Sequence, residues 1–94
     1  MNRILLVDDH PLLREGLTRL ISSESGMMVC GTASSVQEAL AMVEAEKPNL
    51  VITDLTLPGR NGLELIKDLG ATYPEIPTIV LSMHDELFYA ERVL

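Results

Sequence analysis

Four short apolar runs punctuate the chain, Ile4–Val7, Met28–Gly31, Leu50–Thr53 and Thr78–Ser82, with amphipathic stretches between them. The first, third and fourth (ILLV, LVIT and TIVLS) are almost continuously apolar, which is the pattern of parallel strands covered by helices on both faces. Between the runs, apolar residues recur at three and four. One stripe is Leu13, Leu17, Leu20 and Ile21, the next is Val36, Ala39, Leu40 and Val43, and the last is Leu63, Ile66 and Leu69. Pro11 suits a first helical turn, with Asp9 or His10 as its N-cap. Ser35 and Glu38 form a capping-box pair, and Pro48 stops the second helix. Asn61 and Glu64 suggest a similar start for the third, which ends at Gly70 and the Tyr73-Pro74 step. A last helix is expected from near Asp85 to Leu94.

Strand and helix therefore alternate. Because parallel crossovers are right-handed, this order predicts an α/β fold with a doubly wound open sheet and a functional crevice at the carboxyl ends of its strands.

Composition narrows the function. A length of 94 residues allows one domain, and 47% hydrophobic with 22% charged residues is ordinary for a globular chain. Fourteen acidic against seven basic side chains give a net charge of −7, so direct nucleic-acid binding by this segment is disfavoured. No apolar run reaches the roughly 18 residues of a membrane span, and the start MNRILLVDDH has no signal-peptide cleavage region. The expectation is a cytoplasmic protein without membrane attachment. Cys30, the only cysteine, cannot form an internal disulfide and is read as a small core residue, and Met27, Met28 and Met42 are read as packing residues.

The chemistry concentrates at two strand ends. Asp8 and Asp9 close the first predicted strand and Asp54 closes the third, so three carboxylates converge if those strands are neighbours. Two unit charges about 5 Å apart repel by roughly 3 kcal/mol at an effective dielectric near 20, so such a cluster calls for a cation or a raised pKa. Magnesium suits oxygen ligands and leaves coordination positions for water and a phosphate oxygen. Asp54, alone on its strand, is the best-placed nucleophile for forming an acyl phosphate. His10 and His84 each follow a strand end and are read as loop or capping residues. Ser82, His84 and Asp85 are too close in sequence for a hydrolase triad, and no G-x-S-x-G surrounds the serine. The loop Gly59-Arg60-Asn61-Gly62 is not a P-loop, and no G-x-G-x-x-G follows the first strand, so nucleotide binding is unsupported. Glu38, Glu44 and Glu46 read as a solvated helix face.

Three segments in order, LLVDDHPLLREGL, VITDLTLPGRNGLEL and IVLSMHDE, resemble the receiver domain of bacterial two-component response regulators, in the branch with a helix-turn-helix output domain. The resemblance covers residues 3–94. It implies a flavodoxin-like sheet of strand order 2-1-3-4, with Asp54 accepting a phosphoryl group from a sensor histidine kinase. It implies Mg2+ held directly by Asp9, largely through water by Asp8, and by Asp54 and the backbone carbonyl of Thr56. Ser82 matches the hydroxyl that bonds the phosphoryl group and switches, and Pro58 and Gly62 match the loop after the acceptor. His10, Pro11, Leu13 and Arg14 become candidate kinase contacts. Such a domain is a phosphoacceptor rather than an enzyme, although Mg-dependent self-phosphorylation and dephosphorylation belong to its chemistry.

The family pattern continues into a fifth strand that opens with a lysine, and into a fifth helix, neither of which is found in residues 1–94. The expectation is one C-terminally incomplete receiver domain, slow to be phosphorylated because Lys47 and Lys67 are not placed to substitute. The exposed edge of the fourth strand would invite a homodimer. Two other functions compete. A phosphorylation-impaired scaffold would act by dimerising or binding a partner. Asp54-Leu55-Thr56 also resembles the nucleophile strand of haloacid dehalogenase-type phosphatases, but Thr56 stands where those enzymes carry a second aspartate.

Overall fold

The computed structural model describes residues 1–57, 60–81 and 92–93. The elements are β1 (Asn2–Val7), α1 (Pro11–Ser22), β2 (Met27–Ala33), α2 (Val36–Glu46), β3 (Leu50–Asp54), β4 (Thr56–Leu57), β5 (Arg60–Asn61), α3 (Gly62–Thr72), β6 (Thr78–Leu81) and β7 (Arg92–Val93). The fourth predicted strand is thus β6, because the two-residue antiparallel ladder of β4 and β5 intervenes. The main sheet runs β2-β1-β3-β6-β7. Its first four strands are parallel, so the expected order 2-1-3-4 holds.

Two expectations at the far end of the sheet are corrected. Arg92 and Val93 form a strand rather than the end of a helix, and they pair antiparallel with Ile79 and Thr78. The first half of β6 is therefore hydrogen-bonded on both sides, and the open edge proposed for dimerisation is reduced. The remainder of the helix expected from Asp85 lies outside the described residues.

Alternation along β1 sorts the core into two layers. Leu5 and Val7 pack with Val36, Ala39 and Val43 of α2, Leu65 and Leu69 of α3, and Val51 of β3. Ile4 and Leu6 point the other way, onto Ile21 and the half-buried Leu17 of α1. Two helices thus cover one face and α1 the other. On the α1 side Leu50 and Ile52 stay half-buried, whereas Val51 is fully buried on the opposite side.

Helix boundaries follow local chemistry, with some departures. Pro11 opens α1 and His10 is its N-cap, without a side-chain capping bond. Leu20 is 65% exposed, so the expected stripe of α1 contracts to Leu13, Leu17 and Ile21. Ser35 caps α2, its hydroxyl oxygen accepting from the Glu38 N–H at 3.2 Å. The Glu38 carboxylate reaches back to the Ser34 N–H at 2.8 Å, which holds its carboxyl below the usual range. At the other end Lys47 takes the left-handed conformation at φ 47° before Pro48. In α3 the buried face is Leu65, Ile66 and Leu69, while Leu63, expected inside, is 46% exposed.

The acidic face of α2 is more than solvated surface. Glu46 accepts from the Arg3 guanidinium through its carboxylate at 2.7 Å and through its backbone carbonyl, tying the end of α2 to the start of β1. Glu44 accepts from the Tyr73 hydroxyl at 2.6 Å, which lowers the Glu44 pKa and raises that of Tyr73. Cys30 is half-buried at the β1–β2 bulge, since Ile4 pairs with Val29 and Leu5 with Gly31, and burial pushes its thiol pKa up. Met42 packs on the core as expected, and Met27 does so on the α1 side, but Met28 is 37% exposed.

Candidate metal and phosphoacceptor site

Strand register builds the site. Val7 of β1 pairs with Thr53 of β3, so the next residue on each strand, Asp8 and Asp54, emerge side by side at the carboxyl edge of the sheet. Each is almost fully buried, at 4% and 6% exposure. The neighbouring ladders continue beyond the acids. The Asp8 N–H donates to the Ala33 carbonyl at 2.9 Å, and the Leu55 N–H to the Leu81 carbonyl at 2.9 Å.

Asp9 and His10 join them from the turn into α1. The His10 backbone N–H donates to Asp8 Oδ1 at 2.6 Å, an Asx-type turn that folds the chain back over the strand end. Arg14, one helical turn on, donates to the Asp8 carbonyl at 2.9 Å. One ligand atom from each of Asp8, Asp9, His10 and Asp54 falls within 4.8 Å of the others. The three carboxylates expected to converge therefore do so.

His10 is the residue that the pattern of apolar positions did not assign. Read as a loop or capping residue, it does occupy the N-cap position, yet its ring lies over the acids. Nδ1 is 3.2 Å from Asp8 Oδ1, 3.1 Å from Asp9 Oδ1 and 3.7 Å from Asp54 Oδ2. Its position directly after the acidic pair was the available signal.

A divalent cation fits this donor set. Carboxylate oxygens are the ligands a hard cation prefers, and neutralising them relieves their mutual repulsion. A more pointed observation is Asp9 Oδ1, which is buried yet takes part in no hydrogen bond. Its 3.1 Å approach to His10 Nδ1 is an ion-pair contact only. Such an orphaned oxygen is costly unless something binds it. Behind the acids, a cleft between α1 and the sheet is lined by Leu13, Leu17, Ile52 and Leu81 together with Asp8 and Asp54.

Gly62 secures the loop after Asp54. Its N–H donates to the Leu55 carbonyl at 2.6 Å, and a Cβ at this position would overlap the Asp54 carbonyl oxygen. Only glycine lets α3 start this close to the end of β3. Thr56 lies two residues past Asp54, in the backbone ladder opposite Asn61. Pro58, Ser82, His84 and Asp85 lie outside the described residues.

The fold and the acidic crevice define a doubly wound α/β domain with its site at the carboxyl edge, and the comparisons make the class specific. Residues 4–94 match the response regulator receiver domain, and the chain belongs to that family. It is 35% identical over 92 residues to the transcriptional regulatory protein DegU of Brevibacillus brevis, covering 98% of this chain and 39% of that protein. A crystal structure of a LuxR-family two-component response regulator from Aurantimonas sp. SI85-9A1 superposes with a TM-score of 0.86 at 36% identity, covering 90% of this chain and 61% of that one. RcsB from Salmonella enterica serovar Typhimurium, bound to the promoter rprA in the presence of the phosphomimetic BeF3-, gives a TM-score of 0.83 at 25% identity, covering 90% and 72%. This chain thus spans about two-fifths of the length of the curated relative. Among the described residues, no helix is long and apolar enough to cross a membrane.

Proposed function

We propose that this receiver domain accepts a phosphoryl group on Asp54 from a sensor histidine kinase, and that phosphorylation biases a DNA-binding transcriptional output carried by the same regulator. The observation that bears most weight is the convergence of buried Asp8 and Asp54 with Asp9, whose buried Oδ1 lacks a hydrogen-bond partner. Asp9 and Asp54 would bind Mg2+ directly, Asp8 largely through water, and Thr56 through its backbone carbonyl. When bound, the ion supplies positive charge against the developing negative charge of the transferring group.

The chain's own part is nucleophile and frame. An Asp54 carboxylate oxygen attacks the phosphorus of a phosphohistidine, the O–P bond forms as the P–N bond breaks, and the leaving imidazole takes up a proton. The close approach of Gly62 to the Asp54 carbonyl fixes the backbone that carries the nucleophile, and the Asx turn at Asp8 fixes the neighbouring acid. Ser82 would then bond the phosphoryl oxygens. Kinase docking falls to the exposed start of α1, where His10 and Pro11 are open to solvent and Leu13 and Arg14 are half-exposed. RcsB was captured on a promoter with a phosphomimetic, which supports a transcriptional output in a longer relative of this chain.

Incubation with Mg2+ and acetyl phosphate, read by intact mass, tests the proposal. One added phosphoryl group, absent in Asp54→Asn, is the expected result. If wild type stays unmodified and beryllofluoride leaves its NMR spectrum unchanged, the scaffold reading replaces it. Turnover of a generic phosphate ester would instead favour the phosphatase reading.

A further inference from the structure

Three acids alone would present only oxygen to a cation, but the structure adds a nitrogen. Taking Asp8, Asp9 and Asp54 as a cation site, as proposed above, the question is what His10 does there. Around an ion with bonds of about 2.1 Å, adjacent octahedral ligands lie about 3.0 Å apart and opposite ones about 4.2 Å. The separations of His10 Nδ1 from Asp9 and Asp8, 3.1 and 3.2 Å, are close to the adjacent spacing, and that from Asp54, 3.7 Å, lies between the two and would adjust on ligation. The ring's own contact is the hydrogen bond between Nδ1 and Asp8 Oδ1 at 3.2 Å, which ligation would exchange for a bond to the ion. The His10 side chain makes no capping bond for α1, and it is 64% exposed, so little packing resists the small adjustment that ligation requires. Its backbone is fixed by the N–H donated to Asp8 Oδ1, which aims the imidazole at the cluster.

We propose that His10 Nδ1 is a direct ligand of the bound divalent ion, giving a mixed nitrogen and oxygen site that favours Mn2+, Co2+ or Zn2+ over Mg2+ more strongly than its carboxylates do alone. Imidazole suits these borderline ions, whereas Mg2+ keeps oxygen and water around it. His10 would thus set which metal the receiver holds, a role distinct from the acids that make the site.

Separate titrations of Mg2+, followed by NMR shifts, and Co2+, followed by visible absorption, into wild type, His10→Ala and Asp54→Asn test the proposal. His10→Ala should weaken Co2+ binding by about tenfold or more while leaving Mg2+ affinity nearly unchanged. In the Co2+-loaded wild type, an exchangeable ring N–H resonance should move far outside the diamagnetic range, persist in His84→Gln and vanish in His10→Ala. The wild-type and His84→Gln spectra keep the test decisive even if His10→Ala folds poorly. Asp54-dependent binding of both metals with no preferential loss in His10→Ala, and no shifted resonance from His10, would overturn the ligand assignment alone. Affinities unchanged in Asp54→Asn would remove the cation site itself, and this inference with it.

Discussion

Removing the charge of Asp54 should stabilise the metal-free protein. Asp54 has ligand oxygens of Asp8 and Asp9 within 4.8 Å. At an effective dielectric near 20, each such pair of charged carboxylates repels by about 3.5 kcal/mol, so Asp54→Asn relieves up to about 7 kcal/mol. Against this stand the contact with His10 at 3.7 Å and the hydrogen bonding of a buried carboxylate, the latter worth about 1.5–3 kcal/mol. Subtracting the hydrogen bonding leaves up to about 4–5.5 kcal/mol, which the His10 contact reduces further, so the melting temperature should rise, by about 4–8 °C for each kcal/mol that remains. Thermal unfolding followed by circular dichroism, in EDTA and again in Mg2+, measures it. Wild type should gain about 1.4 kcal/mol at a tenfold excess of Mg2+ over its dissociation constant, and the variant should gain almost nothing. A melting temperature for Asp54→Asn equal to or below that of wild type in EDTA would refute the picture of three mutually repelling carboxylates.

Other substitutions probe the frame around the site. Gly62→Ala drives a Cβ into the Asp54 carbonyl and should cost about 1–3 kcal/mol in urea unfolding, with weaker Mg2+ binding because the end of β3 must shift. Leu65→Ala, at a fully buried position between α3 and the sheet, should cost about 2–5 kcal/mol without altering the metal preference. The Glu44 and Tyr73 pair gives a pH signature. The lowered Glu44 pKa contributes stability that is present above its ordinary value of 4.5 and lost as pH falls through the folded value. The raised Tyr73 pKa contributes stability present below 10.0 and lost as pH rises through the folded value. Tyr73→Phe should therefore flatten both limbs of the stability profile, and an unchanged profile would remove the coupling.

The readable parts of this fold are those fixed by periodicity. Continuous apolar runs identified β1, β3 and β6, and the Ser35 and Glu38 pattern placed the start of α2, because each depends on neighbours in sequence. The convergence of Asp8, Asp9 and Asp54 was legible for the same reason, since adjacent parallel strands carry their last residues to a common edge. Helix phase was less accessible. Leu63 fits the apolar spacing as well as Leu65 does, but the close approach of Gly62 to Asp54 sets the rotation of α3 and turns Leu63 outward. Leu20 similarly lies on the outer side of α1. The links from Glu44 to Tyr73 and from Glu46 to Arg3 join residues 29 and 43 positions apart, and no local pattern announces them. His10 required its side-chain direction, which the Asx turn at Asp8 decides.

The central position of β1 divides labour within the pocket. Ile4, Leu5, Leu6 and Val7 are at most 1% exposed, and both β1 and β3 have strands on each side. Their amides should exchange with solvent only when the whole domain opens. Asp8 and Asp54 hang from this slow framework, whereas Asp9 and His10 sit on the turn beyond it, tied back by the His10 N–H bond to Asp8 Oδ1. Substitutions in the turn can therefore reshape the pocket while the sheet keeps its geometry.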